Sequence, residues 1–438
     1  MPIIYFDNFR GFKSTFLSLK EINFFVGENS TGKTSILKLI GIISSDEFWE
    51  YQQFGSKETS LGSFSEIITS KNKGYFEIGI LGDEIDGDKK IEAIKLKFIE
   101  QDNSPSLKEI CLINDSINVQ TTIDGNQLKY RYDVIHSNKF EGQIREDIYK
   151  NWLCDHGLNN KPFLREQIMF NGITTILFQL QTTIAVQLNG NEKSKAIKLS
   201  IPSFLKDVAW IAPVRAEPKK TYDNYTSKFD SEGKHAPYTL KRLLKDKNID
   251  TKRRENIKFV LKKFGEDSGL YDGIDINVLG ESEDAPFELI LTLNGRSQKI
   301  TNVGYGVSQI LPLIIEANER PAKTWFAFQQ PEIHLHPRAQ AALGDFIFKS
   351  NSMDYQKYII ETHSDYTIDR FRLRINRAFN EKGSTNTENI GQVVFFTRHE
   401  NGNKLEIIEI QADGSYPDEQ PAAFRDFFIQ EQLELITI

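Results

Sequence analysis

The stretch from Ile22 to Ile43, "INFFVGENSTGKTSILKLIGII", constrains the fold more than any other part of the chain. An apolar run rich in aromatic and β-branched residues stops at Gly27, and an apolar repeat at helical spacing begins near Ser35. The segment between them must turn a strand into a helix. "GENSTGKTS", Gly27 to Ser35, satisfies G-x-x-x-x-G-K-[ST] in that context. Gly27 and Gly32 let the backbone N–H groups of the loop, Asn29, Ser30 and Thr31 among them, turn inward around phosphate oxygens, and the helix opening there adds its positive dipole end. Lys33 can reach the β and γ phosphates, the Thr34 hydroxyl can hold Mg²⁺, and Ser35 completes the motif. A glycine loop that merely resembles this pattern would not need both flanking elements. The expected ligand is therefore ATP with Mg²⁺.

Composition narrows the class further. With 438 residues, 39% hydrophobic and 11% aromatic, the chain can bury one large or two ordinary cores. No run approaches the roughly 20 apolar residues of a membrane span, and the start "MPIIYFDNFRGF" lacks a signal-peptide layout. No membrane association and a cytoplasmic location are expected. Cys111 and Cys154 lack zinc-site spacing and are too few for a disulfide framework, so both read as ordinary buried thiols. A net charge of −7 argues against indiscriminate nucleic-acid coating but permits a local basic patch.

Along the chain, "PIIYF", "TFLSL" and "INFFV" predict short strands, and "YFEIGIL", "IKLKFI", "EICLIN" and "NVQTTID" predict a sheet-rich lobe. "REDIYKNWL" and "TLKRLLKDKNIDTKRRENIKFVLKKF" predict helices, with a strand pair around "ILFQLQTTIAVQLNG". From "FELILTLNG" onward, strands and helices alternate through "SQILPLIIEAN", "TWFAF", "RAQAALGDFIF", "YIIE" and "THSDYTIDRFRLRI" to a hairpin, "VVFFTRHENGNKLEIIEI". That alternation predicts a parallel α/β sheet.

Three distant segments complement the phosphate loop. "TNVGYGVSQILPLI" puts Gly304, Gly306, Ser308 and Gln309 at a helix start, where exposed N–H groups suit phosphate. "WFAFQQPEIHLHP" is an apolar strand ending in polar side chains, and "YIIETHSDY" is another, ending at His363 and Ser364. With "NFRGF" before the loop and "WIAPVRAEP" at Trp210–Pro218, these blocks resemble the ABC-type ATPases of the RecF, SMC and OLD kind. Within that group the nearest likeness is to the PtuA ATPases of Septu and retron-associated antiphage systems.

The resemblance implies an α/β fold: a P-loop ABC-type ATPase head with a mixed central sheet, flanking helices and an antiparallel sheet, plus a partly helical insertion. Residues 1–137 would form the N-terminal part of the head, 138–268 the basic insertion and 269–438 the C-terminal part. It implies that two heads sandwich ATP, with Gly306 and Ser308 reaching the γ-phosphate in trans and His363 as a switch histidine. Against these roles stand an ordinary turn before a helix and a hydrogen-bonded strand-end histidine. "HLHP", with His334 and His336, offers two imidazoles but no supporting carboxylate or cysteine cluster, so a structural or interface loop is expected there.

On the same template, Gln329 takes the place of the acid that orients Mg²⁺, and Gln330 that of the glutamate that activates water. An amide keeps size and hydrogen-bond reach but removes the charge that holds the ion. Binding is expected to survive and hydrolysis to be slow. Glu332 and Glu361 are the remaining acids able to orient water. A natural weak switch and a deliberate glutamate-to-glutamine change that traps ATP both stay open.

Lys241–Lys263 is rich in Lys and Arg and suits either a phosphate-tracking face for nucleic acid or helices packed on a core with a solvated charged side. Arg215, after the apolar "VAWIAPV", suits the nucleotide cleft. Nothing resembles a nuclease. The leading expectation is an ATP-binding regulatory or scaffold subunit of a bacterial antiphage complex, associating as a dimer or larger through its heads and controlling a separate nuclease of HNH type. The alternative is a RecF-like DNA-repair ATPase that clamps DNA. A transporter subunit is disfavoured by the distance between the loop and the signature-like segment.

Overall fold

The computed structural model describes residues 1–55, 59–70, 73–82, 91–135, 143–169, 171–188, 197–203, 205, 208–223, 228–282, 284–382 and 390–426. The chain divides into two compact units. Unit one holds Met1–Lys20, Glu28–Asp207 and Phe396–Leu405; unit two holds Glu21–Gly27, Val208–Phe395 and the stretch from Glu406 onward. The chain passes from unit two to unit one between Gly27 and Glu28, inside the phosphate-loop motif.

The strands in chain order are β1 (Ile3–Asp7), β2 (Thr15–Ser18), β3 (Ile22–Gly27), β4 (Tyr75–Leu81), β5 (Glu92–Gln101), β6 (Ser104–Asn114), β7 (Ile117–Asp124), β8 (Gln127–Val134) and β9 (Leu164–Gln167). They continue with β10 (Ala209–Ile211), β11 (Gly273–Val278), β12 (Phe287–Leu293), β13 (Arg296–Lys299), β14 (Trp325–Gln329), β15 (Lys357–Glu361), β16 (Gly391–His399) and β17 (Gly402–Glu409).

Unit one is built on an eight-stranded antiparallel sheet in the order β2-β1-β4-β5-β6-β7-β8-β9. Short turns set its register. Asp102 and Asn103, both with positive φ, join β5 to β6, and Gly125 with Asn126 joins β7 to β8; such residues match the twist of a tight hairpin. Period-2 alternation then sends Phe76, Ile78, Leu96 and Phe98 to one face, where Phe76 stacks on Phe98 with ring centroids 5.2 Å apart. The other face receives Ile148, Tyr149 and Trp152 of the helix Arg145–Cys154.

One expectation fails here. "ILFQLQTTIAVQ" belongs to a helix, Ile173–Gln187, not to a strand pair. Its β-branched content suggests strand, yet its buried apolar positions are Ile173, Ile176, Leu177, Leu180 and Ile184. That spacing lines one helical face and wins over propensity. Cys154 is also exposed rather than buried, while Cys111 is buried as expected.

Unit two contains β10, β14, β15, β3 and the first half of β16 from a six-stranded sheet of order β10-β14-β15-β3-β16-β17, and a three-stranded antiparallel sheet, β11-β12-β13. β10, β14, β15 and β3 run parallel. All six residues of β3 are buried, as are four of five in both β14 and β15; parallel strands covered on both faces read as apolar runs for this reason. β14 connects to β15 through the helix Pro337–Asp354, a βαβ crossover. β3 lies between β15 and β16, and its one polar side chain, Asn23, is satisfied by both: Nδ2 donates to the Tyr358 carbonyl at 3.1 Å and Oδ1 accepts from Gln392 Nε2 at 2.8 Å. Among the described residues no helix is long and apolar enough to cross a membrane.

Candidate nucleotide site

The phosphate loop has the predicted strand–loop–helix form. β3 ends at Gly27 and the helix Lys33–Ile43 begins at once after Gly32. Gly27, Ser30 and Gly32 have φ of 139°, 63° and 97°, values that L side chains other than Asn or Asp seldom adopt. Within unit one, Lys33 is 4% exposed and its ammonium donates to the Glu28 carbonyl at 2.6 Å. The Thr31 hydroxyl donates to the same carbonyl at 2.8 Å, and Arg398 donates to the Ser30 carbonyl at 2.9 Å. The loop is thus held by its own carbonyls, with a cation inside the curl. A Cβ on Gly32 would stand 2.5 Å from the Phe12 ring. Gly32→Ala is therefore expected to cost about 1–3 kcal/mol, read as a lower urea midpoint for unfolding.

In unit two, the carboxyl ends of the parallel strands bring the other predicted residues to one edge. Gln329 closes β14 in register with Glu361, which closes β15 and faces Phe25 of β3. Arg215 follows β10, and Gly27, the first residue of the phosphate motif, ends β3. In open α/β sheets this edge is where ligands bind. Gln330 holds a left-handed φ of 44° and donates its N–H to the Glu361 carbonyl at 2.8 Å. Glu332 is buried; its Oε1 accepts the His363 N–H at 2.7 Å. His363 itself is exposed.

Arg215 and Glu332 carry the unsatisfied chemistry of this edge. Arg215 is 2% exposed, and its Nη2 donates to the Gln329 carbonyl at 3.4 Å. Its Nε and Nη1, and Oε2 of Glu332, are buried without a hydrogen-bond partner. Burial pulls the Arg215 guanidinium down to about 10, with the Glu332 charge opposing the shift. Burial likewise pushes the Glu332 carboxyl up, against the His363 N–H and the Arg215 charge. Unpaired buried donors and acceptors are costly. An anion on Arg215 and a water or hydroxyl on Glu332 would satisfy both groups. Within unit one, Lys33 and Thr34 fit a Mg²⁺-bound phosphate by donor type.

Gln309, predicted near phosphate, instead brackets the Arg215 backbone: its Oε1 accepts Arg215 N–H at 3.2 Å and its Nε2 donates to the Arg215 carbonyl at 3.4 Å. Only tertiary structure discloses that clamp. Gly304 caps the helix Tyr305–Glu319 and Gly306 lies in its first turn, where a Cβ would come 3.1 Å from the His334 carbonyl. The Ser308 hydroxyl turns back to the Tyr305 carbonyl at 2.8 Å. His336 caps the helix Pro337–Asp354 by accepting the Ala339 N–H at its Nδ1, the structural role expected for "HLHP". Asp365, not singled out from sequence, is pushed up to about 6 by burial, with Asp369 adding. Two residues beyond His363 in the chain, this carboxyl is a further candidate for proton handling.

Most cations of the basic segment already have acidic partners. Arg242 and Arg253 bond Glu319, Lys245 bonds Asp275, and Lys258, Lys262 and Lys263 bond Glu255, Glu266 and Asp267. Leu243, Leu244, Ile257 and Leu261 face the core.

A family model described as an AAA ATPase domain matches residues 3–368, from the strand ahead of the phosphate loop to the start of the helix after His363. The chain belongs to that family. No protein of curated function matches this AAA ATPase chain. Among solved structures it is similar to the SmcHead bound to the C-winged helix domain of ScpA, at 12% identity, TM-score 0.43, and coverage of 93% of this chain and 97% of that one. The Smc head domain with an extended coiled coil bound to the C-terminal domain of ScpA, derived from Pyrococcus furiosus, gives 13%, 0.43, 100% and 99%. The SMC head domain from Thermotoga maritima gives 9%, 0.38, 92% and 97%.

Proposed function

We propose that this AAA ATPase binds Mg²⁺-ATP and acts as a nucleotide-dependent regulatory or scaffold subunit of a bacterial antiphage complex of the Septu or retron-associated kind. Its heads associate through nucleotide, and cutting is left to a separate nuclease, with HNH chemistry the first expectation. The observation that carries nucleotide binding is the set of orphaned atoms on Arg215 and Glu332, at the sheet edge where Gly27 opens the phosphate motif. The wider role is supported by the "VGYGVSQ", "QPEIHLHP" and "ETHSD" blocks and the lack of any nuclease-like constellation in the sequence.

The division of labour follows from residue chemistry. Bound Mg²⁺-ATP supplies a transferable phosphoryl group and the charge to be neutralised. Lys33 would bind phosphate oxygens and Thr34 would hold the ion, Arg215 would meet an anion at the carboxyl edge of its own sheet, and Gly306 and Ser308 would contact the γ-phosphate from a second copy. Glu332 Oε2 accepts a hydrogen bond from water, while the His363 N–H holds Oε1 and so orients the carboxyl. Gln329 and Gln330 place amides where charge would speed the reaction. Turnover should be slow, and Gln329→Glu should raise the hydrolysis rate about tenfold or more, toward the gain expected of a placed acid or base. Hydrolysis by the unaltered chain near ~1 s⁻¹ would sink the reading of Gln329.

A RecF-like DNA clamp is the second reading, and the basic Lys241–Lys263 segment is what favours it. Because most of those cations already have acidic partners, it ranks lower. ATP-dependent gel shift by the isolated protein would reverse that ranking, and co-purification of an HNH-type nuclease would support the first.

A further inference from the structure

Unit one carries a group of side chains with metal-ligand chemistry that the nucleotide site does not use. Glu109 and Cys111 stand two apart on β6 and leave the same face of the strand. His156 comes to them from the turn after the helix Arg145–Cys154. One carboxylate oxygen, the Cys111 Sγ and one imidazole nitrogen all lie within 4.8 Å of one another, the single such group among the described residues. Sequence spacing hides it, because His156 reaches β6 only through the fold.

The donors are held ready. Cys111 is wholly buried and its Sγ donates to Glu109 Oε1 at 3.3 Å. The Nδ1 of His156 is buried and has no hydrogen-bond partner. A second layer fixes the first. Asn118 donates to the His156 carbonyl at 2.6 Å and accepts Trp152 Nε1 at 3.0 Å, while the Trp152 ring lies 4.9 Å from the imidazole. Gln120 donates to Glu109 Oε2 at 3.3 Å and is itself held by Arg131 at 2.7 Å. Lys95, opposite Cys111 in register, is the neighbouring cation; it lies 3.7 Å from Glu77, which offsets its charge.

We propose that Glu109, Cys111 and His156 form a site for a borderline-soft divalent transition metal, Zn²⁺ first, with a fourth position open to water. Thiolate and imidazole select such an ion over Mg²⁺, which requires oxygen ligands in octahedral array. Tetrahedral zinc spaces its ligand atoms ~3.3–3.8 Å apart, so a modest side-chain rotation closes the present 4.8 Å. Binding replaces the Cys111 S–H bond by a sulfur–metal bond and releases one proton to solvent; Glu109 and the neutral His156 each donate a lone pair.

Co²⁺ titration of the full chain tests this, because a thiolate-to-cobalt charge-transfer band reports cysteine ligation and is silent at an oxygen-only Mg²⁺ site. One equivalent should produce the band, Zn²⁺ should abolish it, and C154S should leave it intact. C111S should remove it, H156A should weaken Co²⁺ binding at least tenfold, and Gln120→Leu ~10-fold through Glu109. Should these variants fold poorly, alkylation of the unaltered chain in urea just below its unfolding midpoint, where transient opening makes buried Cys111 reactive, decides: Zn²⁺ should slow modification of Cys111 more than tenfold and leave that of exposed Cys154 unchanged. No charge-transfer band in the unaltered chain, or equal alkylation of Cys111 with and without Zn²⁺, overturns the site.

Discussion

Lys33→Ala will bind ATP about 100-fold more weakly than the unaltered chain. A hydrogen bond between charged partners contributes roughly 1.5–3 kcal/mol, and tenfold in affinity is about 1.4 kcal/mol; an ammonium serving two phosphates loses about two decades. Lys33 is buried and donates to the Glu28 carbonyl, so the substitution frees one loop acceptor and removes a buried aliphatic stem. The fold should persist in the absence of nucleotide, with a lower thermal midpoint. Calorimetric titration with Mg²⁺-ATP reads the result, and unchanged affinity would remove the phosphate-loop assignment.

Arg215→Met separates stability from binding. The guanidinium is buried with two N–H groups unpaired, and an unmet buried donor costs about 1–3 kcal/mol. Methionine fills similar volume without that penalty, though it gives up the bond to the Gln329 carbonyl and the attraction to Glu332. Replacing a whole buried ion pair by apolar side chains is often neutral or stabilising, whereas removing one partner leaves the other uncompensated; Glu332 meets that change by taking up a proton, the direction in which its burial already pushes it. The ligand-free variant should therefore unfold at much the same temperature. Its ATP affinity should fall ~30- to 100-fold, since two charge-assisted bonds to phosphate are lost, and the rise in melting temperature that ATP confers should shrink with it. A variant that is markedly less stable yet binds ATP normally would make Arg215 a strut and not a ligand.

What could be read from the sequence is what local rules dictate. The strand–loop–helix around Lys33 was legible because glycine positions and apolar periodicity are properties of neighbours in the chain. The antiparallel lobe was legible for the same reason: turn residues such as Asp102, Asn103 and Gly125 interrupt period-2 strands. Ile173–Gln187 misled because β-branched residues mimic a strand, and its buried face exists only once the fold supplies something to bury it against. The basic Lys241–Lys263 segment is similar: Glu319 and Asp275, which neutralise part of it, lie outside the segment. Neither the Gln309 clamp on Arg215 nor the approach of His156 to Cys111 leaves a local signature, since each joins residues far apart in the chain.

The position of β3 between β15 and β16 has a consequence for how the protein is made. β3 leaves the ribosome long before the partners of its Asn23, Tyr358 and Gln392, which follow 335 and 369 residues later. At ~5–20 residues per second, roughly twenty seconds to over a minute of synthesis separates the strand from its neighbours. For that interval an apolar strand with a single polar side chain waits with both edges open, a known route to misassembly. Premature termination before Tyr358 leaves it with neither neighbour, so a late stop codon should silence the phosphate loop as completely as a mutation within it.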